Sequence, residues 1–256
     1  MHRAYAAGVL LLAGCAVTSP DDELVWSREL ARSLARERGE LIEVARFSRL
    51  NAGGRYFGGW EPFVLMPANA RTEYRLVSVD GGVALEAEAA AGGSGLYRKI
   101  RISPQTHPVI EWRWRLPRPE SGAAWNASPP VLLSLGFDGD PFKLDMLDRI
   151  KLRMAKALTA NGLPYASLQY VWHIDAPVGT VIHSRHTDRV RMIVVESGAQ
   201  RLEEWVSVRR DVLQDFRLAF GEEPGDIVAI GVLTDVGDDG SRRRGLYGDI
   251  TVRSAQ

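Results

Sequence analysis

The chain has 256 residues with 32 basic and 32 acidic side chains, so its formal net charge is zero. Hydrophobic residues make up 45% and charged residues 25%, which is typical of a folded globular protein and not of a disordered chain. A neutral chain lacks the basic excess that nucleic-acid binding needs, so we expect no nucleic-acid partner. The single cysteine excludes an internal disulfide framework and a zinc site built from several thiolates.

The amino terminus has the pattern of an export signal. After a short basic start, an apolar run from Ala4 to Leu12 is much shorter than the roughly 20 residues that span a bilayer. It ends in Leu12-Ala13-Gly14-Cys15, which resembles the signal motif of bacterial lipoproteins. The resemblance implies cleavage after residues 1–14 and attachment of lipid to Cys15, so that the mature protein is anchored to a membrane and does not cross it. The alternative is a buried, inert cysteine.

The residues after the cysteine bear on where the protein is anchored. Ala16 is not an aspartate, which by resemblance to enterobacterial lipoprotein sorting implies the outer membrane, with the protein facing the periplasm. Residues 15–40 then form a lipid-attached spacer. Within it, Asp21 to Glu40 is predicted as a helix because its apolar residues recur at helical spacing. This helix either folds back onto the domain or lies on the membrane surface.

From residue 41 to 256 the dominant pattern alternates polar and apolar residues, which is typical of strands. It is clearest from Val109 to Leu116, where Trp112 and Trp114 share one face of the predicted strand and charged residues occupy the other. The predicted strands are Glu73–Val79, Val83–Ala87, Leu96–Ile102, Val109–Leu116, Pro130–Phe137, Ala166–His173, Val190–Glu196, Glu204–Val208, Ile227–Thr234 and Tyr247–Val252. Short strands separated by Gly, Pro and Asp turns predict a single mainly β domain, an antiparallel β-sandwich of jelly-roll or galactose-binding-like type.

Two segments of this domain have helical spacing. The first runs from Pro141 to Ala160 after a capping aspartate, with an apolar stripe and several basic residues on the remaining surface. The second runs from Asp211, as the cap, to Phe220, with Gly221 as its stop. With the spacer helix, the sequence predicts two or three short helices beside the sandwich.

Several segments together resemble an uncharacterised bacterial family, a domain of unknown function found in exported and lipid-anchored proteins. They are Trp112–Arg115, Leu163–Leu168, Tyr170–Trp172, Arg209–Val212, Asp215–Phe216, Phe220–Glu222, Thr234–Asp235 and Tyr247–Ile250. The resemblance covers roughly residues 45 to 253. It implies a β-sandwich and supplies no activity, cofactor or catalytic residue. The order of the late features is also similar to that of jelly-roll carbohydrate-binding modules.

Aromatic rings at strand ends and in loops are the strongest hint of a ligand. Flat rings stack on sugars, while arginine and aspartate side chains bind the hydroxyl groups. Trp125, in a loop rich in small residues, is the predicted exposed ring, and the alternative for each ring is packing inside the sandwich. The candidate ligand-binding residues are Trp125, Tyr170, Trp172, His173, Arg191, Asp211 and Asp235.

A second candidate constellation is acidic. Asp235, Asp238, Asp239 and Asp249 lie in or beside turns, and clustered carboxylates can bind calcium. Their spacing does not match an EF-hand loop, Asp-Gly turns are common for conformational reasons alone, and the arginines at 242–244 can neutralise the same acids. We therefore expect no cofactor, with calcium as the alternative.

The sequence contains no catalytic signature. A Gly-x-Ser-x-Gly elbow, a phosphate loop and a dinucleotide fingerprint are all missing. We therefore expect a non-catalytic envelope lipoprotein that binds a glycan or another envelope component. One alternative is a jelly-roll polysaccharide lyase or hydrolase, with His173 or Tyr170 as base and Arg191 or Arg98 neutralising a substrate carboxylate. The other is a scaffold in an envelope protein complex, with the helix from Pro141 to Ala160 as its contact surface.

Overall fold

The computed structural model describes residues 37, 39–54, 59–63, 71–90, 93–118, 129–144, 146, 149–150, 163–235 and 242–255. These residues form thirteen strands, the α-helix α1 (Val212–Phe220) and two short 3-10 helices at Phe47–Arg49 and Pro141–Lys143. The strands are β1 (Leu41–Ala45), β2 (Glu61–Phe63), β3 (Glu73–Val79), β4 (Gly82–Ala89), β5 (Ser94–Ile102), β6 (Val109–Arg115), β7 (Leu132–Phe137), β8 (Ala166–His173), β9 (Val181–His183), β10 (Val190–Ser197), β11 (Val206–Asp211), β12 (Ile227–Thr234) and β13 (Arg243–Arg253).

The strands form two sheets that pack face to face. Sheet I has the order β11-β6-β13-β4-β3, with β1 also paired to β13, and sheet II has the order β2-β5-β12-β7-β8-β10-β9. Every pairing is antiparallel except that of β8 with β10, for which residues 174–189 supply the long connection that parallel strands need. The predicted mainly β sandwich is therefore confirmed, with one parallel pair inside it.

Several elements have the bounds or the turn chemistry that the sequence predicts. Ala166–His173 and Ile227–Thr234 are strands over their predicted lengths. The β3–β4 hairpin turns through Asp80 and Gly81, whose φ angles of 50° and 77° are those of the turn that Asp-Gly favours between antiparallel strands. The strands β1, β2 and β9 were not predicted, because segments of three to five residues contain too few alternations to stand out.

The core lies between the two sheets and is rich in aromatic rings. Trp112 and Trp114 of β6 are buried, as the alternation predicts. Trp112 stacks on Tyr170 of β8 with ring centroids 5.1 Å apart, and Trp114 lies 6.4 Å from Trp172 of the same strand. These pairs join the middle of sheet I to sheet II, and the opposite side of β6 is left facing outward.

The helix α1 confirms the predicted cap and stop. The Asp211 carboxylate accepts a hydrogen bond from the Gln214 backbone N–H at 2.9 Å, and Gly221 ends the helix with a left-handed φ of 69°. Phe216 is buried, with its ring centroid 4.6 Å from that of Phe137 in sheet II. The helix is thereby fixed to the sandwich.

Other predicted segments lie outside the described residues. They include the signal peptide, Cys15 and nearly all of the spacer helix. Of the predicted helix from Pro141 to Ala160, the structure describes the first 3-10 turn and a few helical residues, among which Met146 is 77% exposed. No helix in the described part of the chain is long and apolar enough to cross a membrane.

Candidate ligand-binding face on sheet I

The outer face of sheet I brings polar side chains from three adjacent strands together. Side chains alternate along β6, so Glu111 and Arg113 point away from the core that holds Trp112. On β11, Ser207 pairs with Arg113 and Arg209 pairs with Glu111, which places all four side chains on this one face. On the other side of β6, residues of β13 complete the face.

A β-bulge in β13 shapes the middle of this face. The β13–β6 register shifts between Tyr247 and Ile250, so that Gly248 and Asp249 together lie opposite Arg113. A Cβ atom at Gly248 would lie 2.5 Å from the Cγ of Arg113. Because glycine has no Cβ, the aliphatic part of Arg113 lies directly across the β13 backbone.

A groove of about 340 Å³ lies on this face, and we call it the sheet I groove. Its lining residues are Glu111, Trp112, Arg113, Ser207, Val208, Arg209, Asp249 and Thr251. Trp205, just before β11, contacts one of these residues, because the Arg113 guanidinium lies 4.6 Å from the centroid of the Trp205 ring. The Trp205 ring is held in turn by a 2.9 Å hydrogen bond from its Nε1 to the Asp80 carboxylate.

The charged groups of the groove are unequally paired. Glu111 accepts hydrogen bonds from Arg253, at 2.7 Å from its Nε, and from Arg209. The hydrogen bond from Arg253, followed by that from Arg209, lowers the pKa of Glu111 below its ordinary value, so this carboxylate is ionised at neutral pH. For Arg113, by contrast, no carboxylate oxygen of the described residues lies within 4.0 Å. Its guanidinium lies instead over the Trp205 ring, in a cation–π contact.

Asp249 is bound within the protein and separated from Asp235. Its carboxylate accepts hydrogen bonds from the backbone N–H and hydroxyl of Ser48, at 2.9 and 2.6 Å, and lies 3.6 Å from Arg46. Asp235 follows β12 in the opposite sheet, and Asp238 and Asp239 lie outside the described residues. Within the described ranges, no three His, Cys, Asp or Glu side chains are grouped as metal ligands. A calcium site that includes Asp238 and Asp239 stays a prediction.

Two of the predicted ligand-binding rings are fully buried. The Tyr170 hydroxyl donates to the Asp215 carboxylate at 2.8 Å, and Asp215 also accepts two hydrogen bonds from Arg210. Burial, reinforced by the Asp215 carboxylate, raises the pKa of Tyr170 well above its ordinary value. Trp172 donates from Nε1 to the Gly198 carbonyl at 2.9 Å. In this structure both rings are packed inside the sandwich, and the Tyr170 phenol stays protonated.

The remaining predicted ligand-binding residues lie at opposite ends of the sandwich. Arg191 is level with Leu168 in the β10–β8 register, whereas His173 is five residues further along β8, about 17 Å away at the rise of a strand. Asp235 follows Thr234 at the end of sheet II that holds His173. Asp211 lies at the other end, because it caps α1, and the Phe220 ring of this helix lies 5.7 Å from Arg191. These four residues do not converge on one site. Trp125 lies outside the described residues.

The groups of the enzyme alternative are likewise occupied and apart. The Nδ1 atom of His173 accepts a hydrogen bond from the Ala176 backbone N–H at 3.0 Å and lies 3.0 Å from the Asp175 carboxylate. Arg98 donates a hydrogen bond to the Val44 carbonyl at 2.6 Å. It lies on β5 of sheet II, whereas His173 lies on β8 of the same sheet. No contact joins either candidate base to Arg98 or Arg191 among the described residues.

Sequence reasoning missed the residues that form the groove. The alternation of β6 does place Glu111 and Arg113 on an outward face, and this was the available signal. The contribution of Ser207 and Arg209 depends on the pairing of β11 with β6, which brings together residues far apart in the chain. The sequence predicts Asp249 as a possible calcium ligand and as part of the family segment Tyr247–Ile250, but not as a residue of this groove.

All eight residues that line the groove fall inside a segment that matches a known family. The family described as "Protein of unknown function (DUF3047)" matches residues 58–251. The chain belongs to the DUF3047 family. The predicted resemblance to a domain of unknown function is thereby confirmed. No curated protein matches this DUF3047 chain.

Solved structures similar to this DUF3047 protein share little sequence identity with it. Endoglucanase 3 of Trichoderma harzianum, from family GH12, aligns over 86% of this chain and 100% of its own, with 9% identity and a TM-score of 0.42. The CBM22-1 xylan-binding domain of Paenibacillus barcinonensis Xyn10C aligns over 87% and 99%, with 11% identity and a TM-score of 0.37. The glycoside hydrolase domain of Endo-D from Streptococcus pneumoniae R6 aligns over 77% of this chain but only 22% of its own, with 9% identity and a TM-score of 0.29. At this level the alignments carry no argument on ligand or reaction.

Proposed function

We propose that this DUF3047 protein is a non-catalytic glycan-binding protein of the bacterial envelope and that the sheet I groove binds the glycan. The observation that carries the proposal is the groove itself, an open depression lined by hydroxyl, guanidinium and carboxylate side chains, with the Trp205 ring against the lining residue Arg113.

The chemistry of the groove suits a sugar ring. A pyranose presents C–H groups on its faces, which pack on aromatic rings, and hydroxyls at its edge, which need hydrogen-bond partners. The hydroxyls of Ser207 and Thr251 both donate and accept, and the guanidinium of Arg113 is a planar donor. Because the groups come from three neighbouring strands, the sheet holds them in fixed positions.

The carboxylates of the groove are unsuited to hydrolysis. A glycosidase needs one carboxyl group with a raised pKa as general acid and a second one across the scissile bond. Two arginines bind Glu111 and lower its pKa, which is the opposite of what a general acid requires. The hydrogen bonds from Ser48 hold Asp249. Binding without bond cleavage is therefore the simpler use of this site.

The envelope location rests on the sequence alone. A lipid on Cys15 would place the domain at a membrane surface, and Ala16 after the cysteine favours the outer membrane and the periplasmic side. Mass spectrometry of the protein purified from its native membranes tests this location. An acylated Cys15 as the first residue supports it, whereas a chain that retains residues 1–14 contradicts it.

Blocking the groove tests the binding function. We expect the full chain to bind at least one polysaccharide in a panel of neutral and acidic polymers. Ser207→Tyr should fill the groove and weaken that binding at least about tenfold, since a bound sugar and the new ring would overlap. Ser78→Tyr, at an exposed position outside the groove, is the matched control and should bind normally. Failure of the full chain to bind any polymer would reject the proposal, as would equal binding by the two variants.

A further inference from the structure

We infer that the sheet I groove selects acidic polysaccharides, with Arg113 as the residue that binds the anionic group of the sugar and Gly248 as the residue that positions it. This inference rests on the proposed function and adds the class of glycan. An acidic sugar carries a planar carboxylate or a tetrahedral sulfate group, and each presents two oxygens to which a guanidinium can donate two parallel hydrogen bonds.

Arg113 differs from other arginines of this face in having no acidic partner among the described residues. Elsewhere on this face arginines are matched by acids: Arg115 lies 3.0 Å from Asp80, and Arg75 and Arg244 both bind Glu86. Arg113 has no carboxylate within 4.0 Å among the described residues and donates no hydrogen bond to them. Its five N–H donors therefore remain for a ligand.

The charged side chains around the groove carry a positive excess. This part of the face has three carboxylates, those of Glu43, Glu111 and Asp249, and more guanidinium groups than these carboxylates can neutralise. The guanidinium groups on this part of the face are those of Arg46, Arg49, Arg113, Arg209 and Arg253. Glu111 alone is shared by two of them. At the Trp205 end, Arg115 faces both Asp80 and Glu203, so the positive excess lies on the side of Arg113 away from Trp205.

Arg113 is held in place without being neutralised. Its aliphatic part crosses Gly248, where a Cβ would come within 2.5 Å of its Cγ, and its guanidinium lies over the Trp205 ring. A stacked guanidinium keeps its N–H groups in the plane, free at their edges. The bulge at Gly248 and the ring of Trp205 thus restrict the side chain before a ligand binds, which lowers the entropy cost of binding.

The test compares polymers that differ only in charge. Polygalacturonate and alginate are each measured against their fully methyl-esterified forms, by calorimetry with the full chain. We expect the acid forms to bind at least about tenfold more tightly than the esters, because esterification removes the anion that the guanidinium binds. Arg113→Gln should remove this preference, whereas Arg217→Gln, which deletes an arginine of α1 outside the groove, should keep it.

Gly248→Ala tests the positioning role separately. The added methyl group should displace Arg113 and weaken binding of the acid forms severalfold, while binding of the esters and the unfolding midpoint stay unchanged. Gly82→Ala is the matched control, since a Cβ there meets nothing closer than 3.8 Å. Dextran sulfate, compared with dextran, tests whether a sulfate group is bound as well as a carboxylate. Binding that depends on Arg113 supports the inference for either anion. Binding that Arg113→Gln does not change is non-specific ion exchange and contradicts the inference.

The outcomes separate the two proposals. If the acid forms and their esters bind equally well, the inference is wrong and the proposed glycan binding stands. The same holds if Arg113→Gln retains the full preference for acids. If no acidic or neutral polymer binds, both are rejected.

Discussion

The molecule contains two arginine–carboxylate networks that differ in how completely they are paired. In the buried network, Asp215 is only 4% exposed, and its carboxylate accepts hydrogen bonds from both Tyr170 and Arg210. In the network on the outer face of sheet I, Glu111 is shared by two arginines and the neighbouring Arg113 has no acidic partner among the described residues. Polar groups inside the sandwich are thus used to fix the fold, whereas those of the groove are left available.

Among these substitutions, replacement of Asp215 should have the largest effect on stability, because it breaks the buried network. Asp215→Ala leaves the Tyr170 hydroxyl buried without an acceptor and Arg210 without its counter-ion, and we expect a loss of about 2–4 kcal/mol in the free energy of unfolding. Denaturant unfolding measures it. Asp175→Ala, at an exposed carboxylate, is the control and should change stability by less than about 0.5 kcal/mol. Equal effects of the two substitutions would show that the buried network does not stabilise the fold.

Tyr170→Phe should have a smaller effect on the same network. The variant keeps the ring that stacks on Trp112 and removes only the hydroxyl, so that Asp215 still binds Arg210. We expect a loss of about 1–2 kcal/mol in the free energy of unfolding, with unchanged glycan binding. A change in binding would contradict the placement of Tyr170 inside the core, away from the ligand.

Glu111→Gln should show how the groove differs from the buried Asp215 network, because we expect it to change glycan binding more than stability. The variant removes one negative charge from a partly exposed network, which we expect to cost less than about 1 kcal/mol. It also raises the positive potential beside Arg113, so polygalacturonate should bind about threefold more tightly. The control is Glu223→Gln, which removes an acid that pairs with Arg217 of α1 and does not line the groove. Weaker binding by Glu111→Gln would contradict a groove that selects anions.

The smallest expected effect is the pH dependence of that network. The pKa of Glu111 is lowered in the folded protein, so its contribution to stability is present above the unfolded pKa, about 4.3 for glutamate, and is lost as the pH falls through the folded value. The stability difference between the wild type and Glu111→Gln should therefore be constant above about pH 5 and should shrink at lower pH. Unfolding curves from pH 7 to pH 3 measure it, and a difference that grows on acidification would contradict the assignment.

The sequence predicts much of the fold because alternation is a local property. The pattern from Val109 to Leu116 correctly separates the buried Trp112 from the outward Arg113. The alternation of β8 likewise places Tyr170 and Trp172 on the face of the buried Leu168, which predicts that both rings pack in the core. Their aromatic chemistry suits a sugar ligand, but their position along the strand agrees with the burial that the structure shows.

The groove could not be predicted in this way, because it depends on which strands are neighbours. Ser207 and Arg113 face each other only because β11 pairs with β6, and loop composition does not encode that pairing. The bulge at Gly248 and Asp249 is equally hidden, since an extra residue in one strand becomes visible only against its partner. Gly248 looks like an ordinary turn residue in the sequence, although its role is to leave room for Arg113.

The strand β13 pairs with β1, β4 and β6, so one late segment joins strands from the beginning and the middle of the chain. Sheet I therefore cannot assemble on a ribosome until residues 243–253 have been synthesised, and closing such long loops makes its folding slow. Until then β4 and β6 lack the strand that lies between them, and the apolar faces of the earlier strands of this sheet stay without their packing partners.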